Sequence, residues 1–232
     1  MAKRPSPPAN PILRPAQARY LERLAPPRDA LLLEIEALAA RDGVPIAVPE
    51  LGRLLEVAAA AAGEGPILEV GTAIGYGTLR LARGAPRARI VTLEQDSARI
   101  ATAREFLTRA GVLERVEIVE GEALASLARI TGPFRLAYLD AGKLEYRRTL
   151  DLVIPMLTVG GQILVDNLLW KGRVADPKLR DPAGDENLEA IERFNPYFTI
   201  HPQLATVLLP IGDGVGMATK KKITIREQGG PF

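Results

Sequence analysis

Apolar positions follow a helical period at first and then gather into short solid runs. Leu31, Leu32, Ile35, Leu38 and Ala39 share one face of a helix over residues 28–41, which Gly43 ends. Pro49 opens another helix, through Leu51, Leu54, Leu55, Ala58 and Ala62, and Gly63 stops it. A shorter helix over 16–25 precedes both, and the Pro-rich residues 1–15 read as a poorly ordered tail. From Pro66 the pattern becomes strand–helix alternation. Strands fall at 67–70, 89–93, 116–119, 134–139 and 162–165. Helices fall at 77–82, from Asp96 to Ala110, at 124–129 and at 144–154 or beyond. A helix over 185–194 and two closing strands, 205–209 and 216–225, complete the chain. This alternation demands a mostly parallel sheet with helices on both faces, and strands apolar on both sides agree with it. The predicted organisation is helices over 16–63 joined to an α/β body over 64–232, together one domain.

Composition narrows the chemistry. At 47% hydrophobic and 25% charged, the chain is neither disordered nor fibrous. No apolar stretch approaches the roughly 20 residues of a bilayer span, so no membrane role is expected. The basic start lacks the apolar region of a secretory signal. There is no cysteine, which removes disulfides, thiolate nucleophiles and Cys-ligated zinc. A single histidine, His201, removes multi-His metal sites and reads as a packing or surface residue. The net charge of +2 is uneven: residues 1–28 carry +5, residues 219–232 carry +3, and the middle carries −6. Basic arms on an acidic body attract a polyanion such as RNA, although short basic termini that merely aid solubility explain the charge as well.

In a sheet of this kind ligands lie beyond the carboxyl ends of the strands. After the first strand comes Glu69-Val70-Gly71-Thr72-Ala73-Ile74-Gly75-Tyr76. A dinucleotide fingerprint would need glycines where Ala73 and Tyr76 stand, and no P-loop motif occurs. The Glu-x-Gly-x-x-x-Gly spacing is instead similar to that of class I S-adenosylmethionine (SAM) methyltransferases. Glu94 ends the second strand, where a carboxylate accepts ribose hydroxyls. An exposed glutamate would explain Glu94 alone, but the glycine loop upstream favours the ribose role. Glu122 and Ala123 follow the third strand, in position to flank an adenine or simply to form a turn. Asp140 and Lys143 follow the fourth strand, and Asp166 and Asn167 the fifth. Three oxygen donors without Cys or His suit a hard cation such as Mg²⁺, Mn²⁺ or Ca²⁺.

These blocks resemble the cation-dependent O-methyltransferases, the family of caffeoyl-CoA and catechol O-methyltransferases, over roughly residues 38–221. Asp-x-x-Lys followed 26 residues later by Asp-Asn, then Leu-Leu-Trp-Lys-Gly-Arg-Val, and Leu-Pro-Ile-Gly-Asp-Gly at 209–214 carry the resemblance. It implies a Rossmann-like seven-stranded sheet with an antiparallel C-terminal strand, in a cytoplasmic homodimer. It implies Glu69, Gly71, Thr72, Gly75, Tyr76, Glu94, Glu122, Ala123 and Asp140 around SAM. It also implies Asp140, Asp166 and Asn167 as metal ligands and Lys143 as the general base. Trp170 is the candidate to stack on the substrate ring, with packing an equal alternative. Within the family the chain is most similar to bacterial tRNA 5-hydroxyuridine methyltransferases. The Gly43-Val44-Pro45-Ile46 link, Lys171-Gly172-Arg173-Val174-Ala175, the 191–195 helix with His201-Pro202 beyond, and Lys220-Lys221-Lys222 carry that likeness. The expected acceptor is therefore wobble 5-hydroxyuridine of tRNA, with a small catechol or phenol as the alternative. Gly142 stands where many relatives have an acidic residue, and the plant-type insertion for CoA thioesters is not evident between Val174 and Glu186.

Overall fold

The computed structural model describes residues 14–222. Most of the N-terminal tail, and the second arm beyond Lys222, lie outside the described residues. In chain order the elements are α1 (Pro15–Leu24), α2 (Ala30–Asp42), α3 (Pro49–Ala62), β1 (Ile67–Val70), α4 (Tyr76–Gly84), β2 (Ile90–Glu94) and α5 (Ser97–Arg109). There follow β3 (Val116–Glu120), α6 (Ala123–Leu127), β4 (Phe134–Leu139), α7 (Tyr146–Met156), β5 (Leu157–Val165), α8 (Glu186–Thr199), β6 (Leu204–Leu209) and β7 (Val215–Lys220).

The seven strands form one sheet in the order β3-β2-β1-β4-β5-β7-β6. β1 to β5 run parallel, and β7 inserts antiparallel between β5 and β6. The period of two along each strand divides the core. Ile67, Ile90 and Leu136 pack under α2, α3, α4 and α5. Leu68, Val70, Ala137 and Leu139 pack under α7 and α8. Both faces are covered, which is why the strands read as solid apolar runs. Among the described residues no helix is long and apolar enough to cross a membrane.

The helices over 16–63 are not one unit. α2 and α3 bury Leu32, Ile35, Leu51 and Leu55 in the main core, whereas α1 buries nothing. α3 lies tightly on α4. A Cβ on Gly84 would strike the Glu56 backbone, and one on Gly52 would press on Arg80 and Tyr76. Arg80, 2% exposed, crosses that contact to Glu56 at 2.7 Å and to the Tyr76 hydroxyl at 2.9 Å.

Several boundaries differ from the sequence reading. Pro15 is the first residue of α1, one residue before the expected start, at a position where a missing N–H is harmless. β5 begins at Leu157 rather than 162, because a register shift opposite Phe134 and Leu136 carries the pairing through Gly160-Gly161. α8 runs past Pro196 to Thr199, held by Phe198 stacked 5.6 Å from Phe194. Two cations close helix ends at the amino edge of the sheet. Arg115 donates to the carbonyls of Ala82, Ala85 and Ala88, and Lys220 to those of Ile154 and Leu157.

Candidate active site

The chain leaves β1 for β2 and β3 on one side, then crosses back to β4 on the other. The carboxyl ends of β1 and β4 therefore flank the switch point, where such sheets form a crevice. Asp140 N donates to Val70 O at 2.9 Å, and a Cβ on Gly71 would strike the Asp140 carbonyl. Gly71 has φ +106 and Gly75 φ +87, so this loop closes only where side chains are absent. The non-glycine residues with positive φ among the described residues are Ala73, Asn167, Trp170 and Lys171. All four lie in the loops after β1 and β5, where strain of this kind accompanies function.

Glu94, nearly buried, ties the loop after β1 to the loop after β2. Its Oε2 accepts Ala73 N at 2.8 Å, and its Oε1 accepts Gln95 N and Asp96 N. A carboxylate has about four acceptor sites, so Oε2 retains capacity for a ribose hydroxyl. Glu94→Ala is expected to weaken SAM binding about tenfold or more, since hydrogen bonds to a charged group contribute roughly 1.5–3 kcal/mol. Calorimetry that returned an unchanged affinity would remove Glu94 from the cofactor site.

Several predicted residues meet the crevice only through their backbone. Glu69 is fully buried beneath α4, with Oε2 accepting from Thr78 and Thr92 and Oε1 unpartnered. The Thr72 hydroxyl pairs with that of Thr92 at 2.6 Å inside the sheet. The Tyr76 ring, 1% exposed, points to Glu36 and Arg80 and so turns away from the place expected for SAM. Glu122 turns its carboxylate onto Leu124 N and Ala125 N as the cap of α6, leaving Ala123 in the first turn.

Burial pushes the Glu69 carboxyl up to about 8, against the donors from Thr78 and Thr92. In the unfolded chain it ionises near 4.5. Its contribution to stability is therefore full below that value and is lost as pH rises towards 8, at about 1.4 kcal/mol per pH unit. In Glu69→Gln this dependence vanishes. Thermal melts of ligand-free protein from pH 6 to 8 should fall further for the parent than for the variant; parallel curves would show that Glu69 is ionised when folded.

The second half of the site forms at the ends of β4 and β5. Lys143 Nζ donates to Asp140 Oδ1 at 2.8 Å and stands 5.0 Å from the Tyr146 ring centroid. The Tyr138 hydroxyl donates to Asp140 Oδ2 at 3.2 Å. Asp166, 5% exposed, accepts Asn167 N on Oδ1. Its carboxyl is pushed up to about 7 by burial and by the charge of Asp140. Asp213, from the turn between β6 and β7, stood in the sequence only within the Leu-Pro-Ile-Gly-Asp-Gly block, with no site role assigned to it. Its carboxylate accepts Lys171 N, its carbonyl accepts Leu169 N at 2.8 Å, and burial raises its own carboxyl. A charge set between two glycines was the available signal.

Asp140, Asp166 and Asn167 thus arrive together with Lys143. Among the described residues no group of three or more His, Cys, Asp or Glu could hold a metal. The set here is two carboxylates completed by an amide oxygen. Excess carboxylate charge with oxygen-only donors fits a hard dication that keeps open positions for other ligands. Trp170 follows this pair, half-buried, with its indole N–H held by Asp185 Oδ2 at 2.6 Å.

Comparison with known proteins agrees with this architecture. Residues 34–221 match the O-methyltransferase family. The catechol O-methyltransferase of Niastella koreensis is 32% identical over 204 residues, covering 83% of this chain and 90% of that protein. The catechol O-methyltransferase of Mycobacterium tuberculosis is 36% identical over 193 residues, covering 78% and 86%. The O-methyltransferase of Bacillus cereus, solved with S-adenosylhomocysteine, superposes with a TM-score of 0.78 at 29% identity, covering 89% of this chain and 97% of that one. A glycine cradle at the switch point, a carboxylate at the end of β2 and this match over most of the chain lead to one conclusion: the protein belongs to the SAM-dependent O-methyltransferase family.

Proposed function

We propose that the enzyme methylates one of two adjacent oxygens on a planar ring, with a divalent cation held by Asp140, Asp166 and Asn167. The observation that carries this reading is the convergence of those three residues and Lys143 beside the Gly71 cradle. When bound, the cation would lower the pKa of an acceptor hydroxyl and fix its position. Lys143, once its ammonium has given a proton to solvent and let go of Asp140, takes the hydroxyl proton as a neutral amine. The O–H bond breaks, an O–CH₃ bond forms, and the sulfonium loses its methyl to leave a neutral thioether. The glycine loop and Glu94 hold the methyl donor, and in-line approach needs the reacting atoms within about 3–3.5 Å.

A small catechol is the acceptor class favoured here, since two neighbouring hydroxyls answer a site with open oxygen positions, and two similar proteins carry that name. A second reading, wobble 5-hydroxyuridine of tRNA methylated to 5-methoxyuridine, is supported by exposed Lys171 and Lys178 in the segment after Asn167. Lys220 gives that reading no support, because its ammonium caps α7 at the amino edge of the sheet, away from the crevice.

The test is radiolabelled SAM offered with a catechol panel and, separately, with undermethylated tRNA, at low and high salt. Catechol turnover that is salt-insensitive, lost in EDTA and restored by Mg²⁺ or Mn²⁺ is expected. Turnover of tRNA alone, falling steeply with salt, would replace the catechol reading. Full activity in excess chelator would reject the metal.

A further inference from the structure

The segment between Asn167 and Arg173 holds three of the four non-glycine positive-φ residues among the described residues. Such a residue persists only where its surroundings over-determine it. From one side, the turn between β6 and β7 holds Leu168 N, Leu169 N and Lys171 N. From the other, α8 reaches in with two side chains. Asn195 Nδ2 donates to Leu168 O at 2.8 Å. Asp185 does more, because its two oxygens face different partners. Oδ1 accepts Asn187 N and Leu188 N as the cap of α8, while Oδ2 accepts Trp170 Nε1 at 2.6 Å and Arg173 Nη1 at 2.9 Å.

We propose that Asp185 is a positioning residue for acceptor binding, fixing the Trp170 ring and the Arg173 guanidinium as a preformed wall beside the Asp166-Asn167 pair. Its relation to acceptor affinity rests on the methyl-transfer reading above; its hold on Trp170 does not. Those two charge-assisted bonds fix the orientation of the indole and of the guanidinium. A cap alone would need only Oδ1, and its loss would loosen α8 without moving Trp170.

Asp185→Asn separates the two roles. Asparagine still caps a helix with its oxygen, but its amide nitrogen confronts the indole N–H with a second donor and removes the charge that Arg173 faces. Trp170 is the only tryptophan, so indole fluorescence reports this one position. In Asp185→Asn the emission is expected to shift to the red and acrylamide quenching to rise several-fold. The acceptor KM should rise about tenfold, the scale of a lost hydrogen bond to a charged group, with kcat and SAM affinity little changed. Trp170→Phe keeps a ring but no N–H, and adding Asp185→Asn to it should raise KM by much less than the same change does in the parent. Unchanged emission and quenching in Asp185→Asn would overturn the proposal whatever the activity. So would a rise in the SAM dissociation constant matching that in KM. If the parent enzyme methylated neither acceptor class, the functional reading would fall, while the fluorescence arms would still decide whether Asp185 holds Trp170.

Discussion

Asp166→Ala is expected to abolish methyl transfer while leaving SAM affinity nearly intact. Asp166 is buried at the end of β5, one residue from Asn167, and shares the field of Asp140. Removing it takes away one of the two carboxylates that would hold the cation, so loss of metal and loss of activity should coincide. Stabilisation of a developing oxyanion by a metal is worth several kcal/mol, and each ~1.4 kcal/mol is tenfold in rate, so a fall of about a thousandfold or more follows. Calorimetry should find SAM binding almost unchanged, since Glu94 and the glycine loop stand at β1 and β2. The variant also loses a buried carboxyl that is unfavourable when ionised, so its melting temperature should hold or rise. Retention of a tenth of the parental rate would exclude Asp166 as a ligand.

The second large effect belongs to a residue with no functional group. Gly71→Ala inserts a methyl against the Asp140 carbonyl at a position with φ +106. Either problem alone costs on the order of 1–3 kcal/mol, and the clash cannot be relieved by a side-chain rotation because its partner is backbone. The loop must shift, carrying Ala73 N off Glu94 and displacing the end of β4 on which Asp140 stands. Cofactor affinity and turnover should therefore fall together, by about a hundredfold or more, with a lower melting temperature. A variant that binds SAM as the parent does would mean that the loop has slack this geometry does not show.

Much of this arrangement is legible along the chain because strand ends are local events. The solid apolar runs located β1, β2, β4 and β5, and the residues that follow each run had to reach the same edge. Gly71, Glu94, Asp140, Asp166 and Asn167 needed nothing more. What stayed hidden depended on distant partners. Asp213 reaches the site only because β7 inserts antiparallel beside β5, which brings the turn before it next to residues 168–171. Asp185 reads as an ordinary helix cap, since nothing local reveals that its second oxygen meets Trp170. Tyr76 looked like a cofactor contact from its place after the glycine loop. Its side chain instead lies on the face of α4 that meets α2 and α3, and the i,i+4 pair Tyr76–Arg80 was the trace of that face.

The close seating of α3 on α4 makes the cofactor a tenant of both helices. Tyr76 begins α4 at the glycine loop, while Arg80 and Gly84, further along the same helix, are locked to Glu56 of α3. The first turn of α4 leads straight into that seam, so the two helices are expected to open as a single unit. Free energy gained at the crevice is then felt by backbone amides of α3 that never touch the ligand. The region ahead of the sheet is in this sense part of the binding equilibrium, and shortening the chain past residue 49 would remove affinity along with stability.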